Sequence, residues 1–434
     1  MIFSPLDGKS YDVIVCGAGS AGIAAACAAA RAGANTLLLE HYGFGGGILT
    51  AAMIHTFDAI KNCADNNQNV VAGIARNLID EIAALGGSAT ADNPPEALTI
   101  HPEIYKIAVD RLLARSGVAV IYHAHVCGVL KEGRRVTGVE AALRDGRARF
   151  RARVVIDGTG DAEVAFHAGV LSDVAPDLQA LTYHFRLGGI DPRPTWEEWE
   201  EITRRAMQAA HAAGEIKVFG GPWIIRLAEG EISVNSTRVF GNPVDAVQFS
   251  AAEQEGRAQM LQIWNIFRQR IPQLARSYLL SGAAQLHVRE SRIIRGDYQL
   301  TEEDIHRHAR FPDSIALGAW PIDIHPNDGY FGVHPHKESP PAPYEIPFRC
   351  LLPQGVDGLL VAGKPISTTH RAHGSTRVPG TSLATGQAAG VAAALAARAG
   401  ILVRAVAPET LRTALLAQGA IVSAAESDRV RSPS

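Results

Sequence analysis

The chain has 434 residues, of which 47% are hydrophobic and 20% charged, and its net charge is −3. That length fits about two or three domains with ample core, and the near-neutral balance leaves no nucleic-acid footprint. No uninterrupted apolar run reaches the roughly 18 residues that a membrane span needs, and the short basic clusters Arg134–Arg135 and Arg147–Arg153 read as solvated hairpin faces.

The first residues carry no basic segment followed by a signal-length apolar run, so no cleaved leader and a cytoplasmic location are expected. Val13, Ile14 and Val15 form a β-branched run suited to a buried parallel strand. Gly17, Gly19 and Gly22 then give G-x-G-x-x-G, with Ser20 and Ala21 inside it. The first glycine permits the tight turn, the second lets backbone approach a pyrophosphate, and the third lets the following helix pack closely. Leu37, Leu38 and Leu39 read as the next strand, and Glu40 ends it where an acid can accept from a ribose hydroxyl. A dinucleotide is therefore expected on Gly17, Gly19, Ser20, Ala21, Gly22 and Glu40.

Gly45, Gly46 and Gly47 cannot be core helix and mark a loop that comes close to something flat or bulky. Residues Val70–Leu85 show helical spacing and end at Gly86-Gly87; Asn93-Pro94-Pro95 marks a loop. A second helix runs from Pro102 to Gly117, with proline suited to its first turn. Val118–Tyr122 reads as a strand. Val126–Leu130, Val136–Ala142 and Ala148–Ala152 read as a β-meander, and the strand Val154–Asp157 enters a second glycine turn, Gly158-Thr159-Gly160-Asp161.

The character changes from about 171 to 345, where all five tryptophans lie (Trp196, Trp199, Trp223, Trp264, Trp320) without a repeating βαβ pattern. We read this segment as an inserted α+β substrate or cap domain. Nucleotide-fold character then returns. Gly358–Gly363 is a strand ending in glycine, and Thr381–Ala397 is a strong helix with Thr381 or Ser382 as its N-cap. The expected organisation is 1–170 and 346–423 as one α/β domain, 171–345 as the cap, and a Ser/Arg/Asp-rich disordered tail at 424–434. The five cysteines make no C-x-x-C pair, so neither a disulfide framework nor a metal site is expected.

Four segments, CGAGSAG, GGGILT, VVIDGTGD and LLVAGKPIS…RVPGTSLATGQAAGVAAA, together resemble the FAD-dependent oxidoreductases of the glutathione-reductase-like superfamily. The segments VRESRIIRGDYQLTEEDI and WPIDIH strengthen that resemblance. It implies a Rossmann-like, glutathione-reductase-type FAD-binding domain with non-covalent FAD. It further implies that Gly160 and Asp161 lie near the pyrophosphate and that Gly46, Gly47 and Thr50 run beside the isoalloxazine. The helix start at Gly380, Thr381, Ser382 and Leu383 would face the N1–C2=O edge of the flavin, where its positive end stabilises negative charge. His41, Val126 and Gly363 complete the expected cofactor contacts. The chain departs from the family at Gly363-Lys364-Pro365, where relatives read Gly-Arg-Cys. Lysine keeps the charge and loses the planar fork.

A flavin takes a hydride at N5; the protein orients substrate and moves the proton. Histidine suits that task, and the candidates are His55, His325, His370 and His373. Arg289 in VRESR is a candidate clamp for a substrate carboxylate or else an interdomain salt bridge. Arg377 carries the same ambiguity between substrate and flavin. The expected function is oxidation or reduction of a small organic molecule. The alternatives are an electron-transfer subunit similar to heterodisulfide-reductase-like proteins and a nucleic-acid-modifying flavoprotein. The expected partner is a small-molecule substrate, without nucleic acid or membrane; self-association is left open.

Overall fold

A computed structural model describes residues 2–87, 98–326 and 338–429. The Asn93-Pro94-Pro95 loop and the end of the expected tail, 430–434, lie outside them. The first half of the chain forms β1 (Ser10–Cys16), α1 (Ser20–Arg31), β2 (Thr36–Leu39), α2 (Ile74–Ala84), α3 (Pro102–Arg115), β3 (Ala119–Ile121), β4 (His125–Glu132), β5 (Arg135–Leu143), β6 (Gly146–Asp157) and α4 (Glu163–Ala168). The helix expected from Val70 starts only at Ile74, because Gly73 holds φ at 64° and interrupts it.

The main sheet runs β3-β2-β1-β6-β5-β4. Val13, Ile14 and Val15 are fully buried, as a strand covered on both faces requires. The third meander strand and the strand entering the second glycine turn prove to be one element. Along one edge of β6, residues 151–157 lie parallel to β1. On its other edge, 146–151 pair antiparallel with β5 and 155–157 parallel with β13 (Leu359–Val361, below). The arginines at 151 and 153 leave the strand unbroken because their heads reach solvent while the backbone stays paired.

The middle of the chain builds β7 (Phe185–Gly188), α5 (Trp196–Ala212), β8 (Trp223–Ala228), β9 (Glu231–Asn235), α6 (Ala246–Arg270) and β10 (Tyr278–Gly282). These strands form an antiparallel sheet in the order β8-β9-β7-β10. Phe185, Trp199, Phe219 and Phe267 bury in a core of their own there. Thr195 and Glu198 make a full capping box that fixes the start of α5.

The chain then returns through β11 (Ser314–Gly318), β12 (Tyr344–Pro347), β13 (Leu359–Val361), α7 (His370–Thr376), α8 (Pro379–Ala399), α9 (Pro408–Ala417) and α10 (Ala424–Arg429). Leu300, Ile305, Ile315 and Tyr344 bury in the same core as α1 and α8, although the sequence reading placed 171–345 in the cap. Alternating polar and aromatic residues hid that return.

Two helix boundaries correct the reading. α8 begins at Pro379 with Val378 as its cap residue and no side-chain cap, so Thr381 and Ser382 sit inside its first turn. The expected disordered tail is helical from Ala424 to Arg429. Ser427 Oγ donates to Asn69 O at 2.6 Å, and the Glu426 carboxylate accepts from the N–H groups of Val422 and Ser423. The polar composition that read as disorder serves as anchors.

α1 and α8 cross backbone to backbone. A Cβ on Gly386 would lie 2.1 Å from Ala21 O, and one on Gly390 2.1 Å from Ala25 O. The i, i+4 spacing places both glycines on one face of α8. No helix among the described residues is long and apolar enough to cross a membrane.

Candidate active site

A cavity of about 380 Å³ opens over the ends of β1, β2 and β6. Three glycine turns meet at its floor. Gly17, at φ 91°, leaves only 2.6 Å between a would-be Cβ and Gly158 O, and Gly22 leaves 1.7 Å to Gly17 O. Gly47, at φ 55°, leaves 2.8 Å to Gly19 Cα. Side chains at these points would push the turns apart. Gly19 caps α1 with no side-chain bond, so the first N–H groups of α1 have no side-chain acceptor and suit an anion. Glu40 stands at the wall, held by the N–H of Ala18 at 2.5 Å and of Tyr42 at 2.8 Å.

Of the residues expected at the cofactor, Gly17, Gly19, Ser20, Ala21, Glu40 and His41 line this cavity. So do Gly47, Val126, Gly160, Asp161, Gly363 and Ser382. Gly22, Gly46, Thr50, Gly380, Thr381 and Leu383 do not. Gly22 lets α1 close on the turn, while Thr50 Oγ1 ties the glycine loop by donating to Gly45 O at 3.0 Å. A Cβ on Gly46 would meet Thr50 and Tyr105, and Gly380 N–H donates to Asp58 O at 2.9 Å. Thr381 and Leu383 point into packed protein. These six support the cradle from behind, and Ile48 and Pro379, which the sequence reading left unnamed, line it instead.

The second glycine turn is fastened by charge. Asp157 accepts from Thr159 N–H, Thr159 Oγ1 and Ala165 N–H. Burial pushes the Asp161 carboxyl up, but the Lys364 ammonium at 2.8 Å, with Ser291 and Arg292, more than offsets this and holds it below its ordinary value. Glu163 has no such partner in contact. Burial, then Asp161 and Asp157, push its carboxyl to about 7. Below that pH Glu163 is neutral; above it a negative charge would face any phosphate bound in the cavity. FAD affinity is therefore expected to fall by about fivefold to tenfold from pH 6 to pH 8. Glu163→Gln should remove most of that fall. Fluorescence titration of the apoprotein with FAD measures it, and equal pH slopes in both proteins would refute the assignment.

A second cavity, of about 220 Å³, adjoins the first. His287, Arg289 and Arg377 line both. His55, from the loop after the glycines, His184, just before β7, and His325 face it with Asn235, Trp223 and Trp320. Burial depresses all four histidines, and the Arg289 guanidinium adds to the effect on His184, His287 and His325. His184 falls to about 3. They are neutral near pH 7.

Their hydrogen bonds set His325 apart. Arg238 Nη2 donates to His325 Nδ1 at 2.8 Å, so His325 presents Nε2–H to Asp323 at 3.2 Å and has no lone pair to spare. His55, 3% exposed, and His184 each have both ring nitrogens buried without a hydrogen-bond partner among the described residues. His370 and His373, also expected as bases, line neither of these cavities. His370 Nδ1 donates to Glu290 Oε1 at 2.7 Å, which raises its pKa, and His373 Nε2 donates to Arg289 O at 3.0 Å. They fasten the segment that carries Arg289. His184 and His287 were missed, although His287 lies two residues before Arg289.

This geometry, a glycine cradle at a helix N-terminus with an acid at the second strand and a buried polar cavity beyond, defines a dinucleotide-dependent redox enzyme. The chain belongs to the FAD dependent oxidoreductase family, whose sequence profile matches residues 12–415, and FAD is its cofactor. It is 27% identical over 227 residues to digeranylgeranylglycerophospholipid reductase 2 of Methanopyrus kandleri, covering 52% of this chain and 54% of that one. It is 31% identical over 156 residues to the tRNA uridine 5-carboxymethylaminomethyl modification enzyme of Dichelobacter nodosus, covering 34% of this chain and 23% of that one. The chain spans about half the length of the first curated relatives it matches. The fold is similar to that of p-nitrophenol 4-monooxygenase from Pseudomonas putida (TM-score 0.50, 12% identity, 98% of this chain and 92% of the other).

Proposed function

We propose that the protein moves a hydride between a small organic molecule in the second cavity and N5 of FAD held in the first. The observation that carries this reading is the shared wall: His287, Arg289 and Arg377 belong to both cavities. A molecule in the second cavity therefore sits next to whatever lies at that end of the first. FAD supplies a two-electron carrier when bound. The chain supplies the rest. Pro379 and Ser382, in the first turn of α8, bring the positive end of that helix to the first cavity, where it favours negative charge. Trp223 and Trp320 wall the second cavity against water.

His55 is our candidate for moving the proton. Burial keeps it neutral, so one of its unpartnered ring nitrogens offers a lone pair. A cavity of about 220 Å³ between arginines and histidines suits a small polar molecule and not the isoprenoid chains in the reductase relative's name. The test is anaerobic mixing of the FAD-loaded protein with a panel of small alcohols, amines and organic acids. Substrate bleaches the visible flavin band, and His55→Gln slows bleaching by about 100-fold or more with FAD still bound. No bleaching by any member would sink the reading; bleaching at an unchanged rate in the variant would remove His55 from it.

A further inference from the structure

We propose that the second cavity is built for a small organic acid, whose carboxylate is held by Arg289 and Arg377. This deepens the reading above and rests on it.

Two guanidinium groups, those of Arg289 and Arg377, line the cavity, and a third, that of Arg238, lies behind His325. Arg289 is 2% exposed and Arg238 5%, and the Arg377 side chain is 8% exposed. Arg289 Nη1 donates only to neutral oxygens, Ala180 O at 2.7 Å and Thr182 Oγ1 at 2.6 Å. Arg238 Nη2 donates to the neutral ring of His325. Arg377 Nη2 donates to Asp323 O at 3.2 Å and Oδ2 at 3.3 Å, while its Nε is buried without an acceptor. Among the described residues Asp323 is the buried carboxylate in contact with Arg377. The four surrounding histidines add no negative charge.

Burying a guanidinium without a counter-ion is costly, and at a cavity wall such a group is a ready receptor for an anion. Among the described residues no carboxylate contacts Arg289, and Arg377 keeps its Nε without an acceptor beside Asp323. A substrate carboxylate would answer both. The cavity lining holds two more acids, Asp58 and Glu200. Both are only half-buried, where water screens them, and Glu200 already accepts from Ile224 N–H. Trp223, Trp320 and Ile225 leave a small apolar space for the body of the acid.

The experiment titrates the FAD-loaded protein with formate, acetate and benzoate, with benzamide as the neutral isostere and benzylamine as the opposite charge. Tryptophan fluorescence and the visible flavin band are read together, because Trp223 and Trp320 line the cavity. At least one carboxylate perturbs both signals, and benzamide binds about 100-fold more weakly than benzoate. Arg377→Lys keeps the charge but loses the fork, and weakens the carboxylate by about tenfold or more. Arg289→Lys does the same; should it fail to fold, the Arg377 variant still decides. Equal binding of benzamide and benzoate, preference for benzylamine, no carboxylate binding to FAD-loaded protein, or unchanged binding in the Arg377 variant would overturn the proposal. Bleaching by a neutral alcohol with no carboxylate binding defeats this assignment and leaves hydride transfer standing. Carboxylate binding without bleaching by any compound does the reverse.

Discussion

Gly386→Val or Gly390→Val lowers the stability of the α1–α8 pair by about 3 kcal/mol or more and leaves a protein that holds FAD poorly. Helix propensity alone argues for no loss, because a glycine inside a helix is already the worst ordinary residue, by about 1 kcal/mol relative to alanine. The crossing reverses that sign. A Cβ at either position would stand 2.1 Å from a carbonyl oxygen of α1, and backbone cannot step aside as a flexible side chain does. Both helices are fixed on their other sides: Ser20–Ala29 of α1 is buried throughout, and α8 packs against the main sheet and α9. The helices must separate, and α1 carries the turn that floors the first cavity. Gly400→Ala is the control. Gly400 ends α8 at φ 66° with nothing within 4 Å of its would-be Cβ, so the change costs about 1 kcal/mol of backbone strain. Thermal and urea unfolding followed by circular dichroism, at fixed protein concentration and without added FAD, compares the three. If Gly386→Val unfolds at the same midpoint as Gly400→Ala, close approach is not what these glycines provide.

The unequal legibility of this chain has a physical cause. β1, α1, β2 and Glu40 were readable because their contacts are local: turn, helix start and acid follow one another within the first forty residues. The second cavity was read only in part: His55, His325, Arg289 and Arg377 were named, but not as one site and not with His184 and His287, because these residues come from distant segments that no spacing links. His370 and His373 misled through sequence position. They precede α8, which does reach the first cavity, but α7 turns them toward Glu290 and the Arg289 carbonyl. Thr369, whose Oγ1 accepts from Ala372 N–H at 3.2 Å, was the available signal that a helix begins there. β6 was read as two pieces because its partner changes halfway, which alters the burial pattern without bending the strand. Arg289 was singled out by its motif; in place of an interdomain salt bridge its side chain donates to the neutral oxygens of Ala180 and Thr182, and it walls both cavities, where the clamp reading stands as the proposal above.

The largest effect on the cofactor is expected at Gly17. Gly17→Ala lowers FAD affinity by about 100-fold, or some 2.7 kcal/mol, and the protein purifies without bound flavin. Two costs combine there. At φ 91° any L side chain is strained by about 1 kcal/mol. The added Cβ would also stand 2.6 Å from Gly158 O and 2.8 Å from Thr159 Cα, so the first and second glycine turns must part. The second turn has no room to retreat, because Asp157 holds it through three hydrogen bonds and Lys364 ties the adjacent Asp161. Gly33→Ala separates the two costs. Gly33 has φ 90° but open space around it and lies away from both cavities, so its variant carries the strain without the collision and keeps FAD. The measurement is FAD affinity by fluorescence titration of both apoproteins, alongside the flavin content after purification. Wild-type affinity in Gly17→Ala would mean that the contact between the two turns is not what shapes the cradle. Equal losses in both variants would mean that backbone strain, and not the meeting of β1 with β6, governs how tightly the dinucleotide is held.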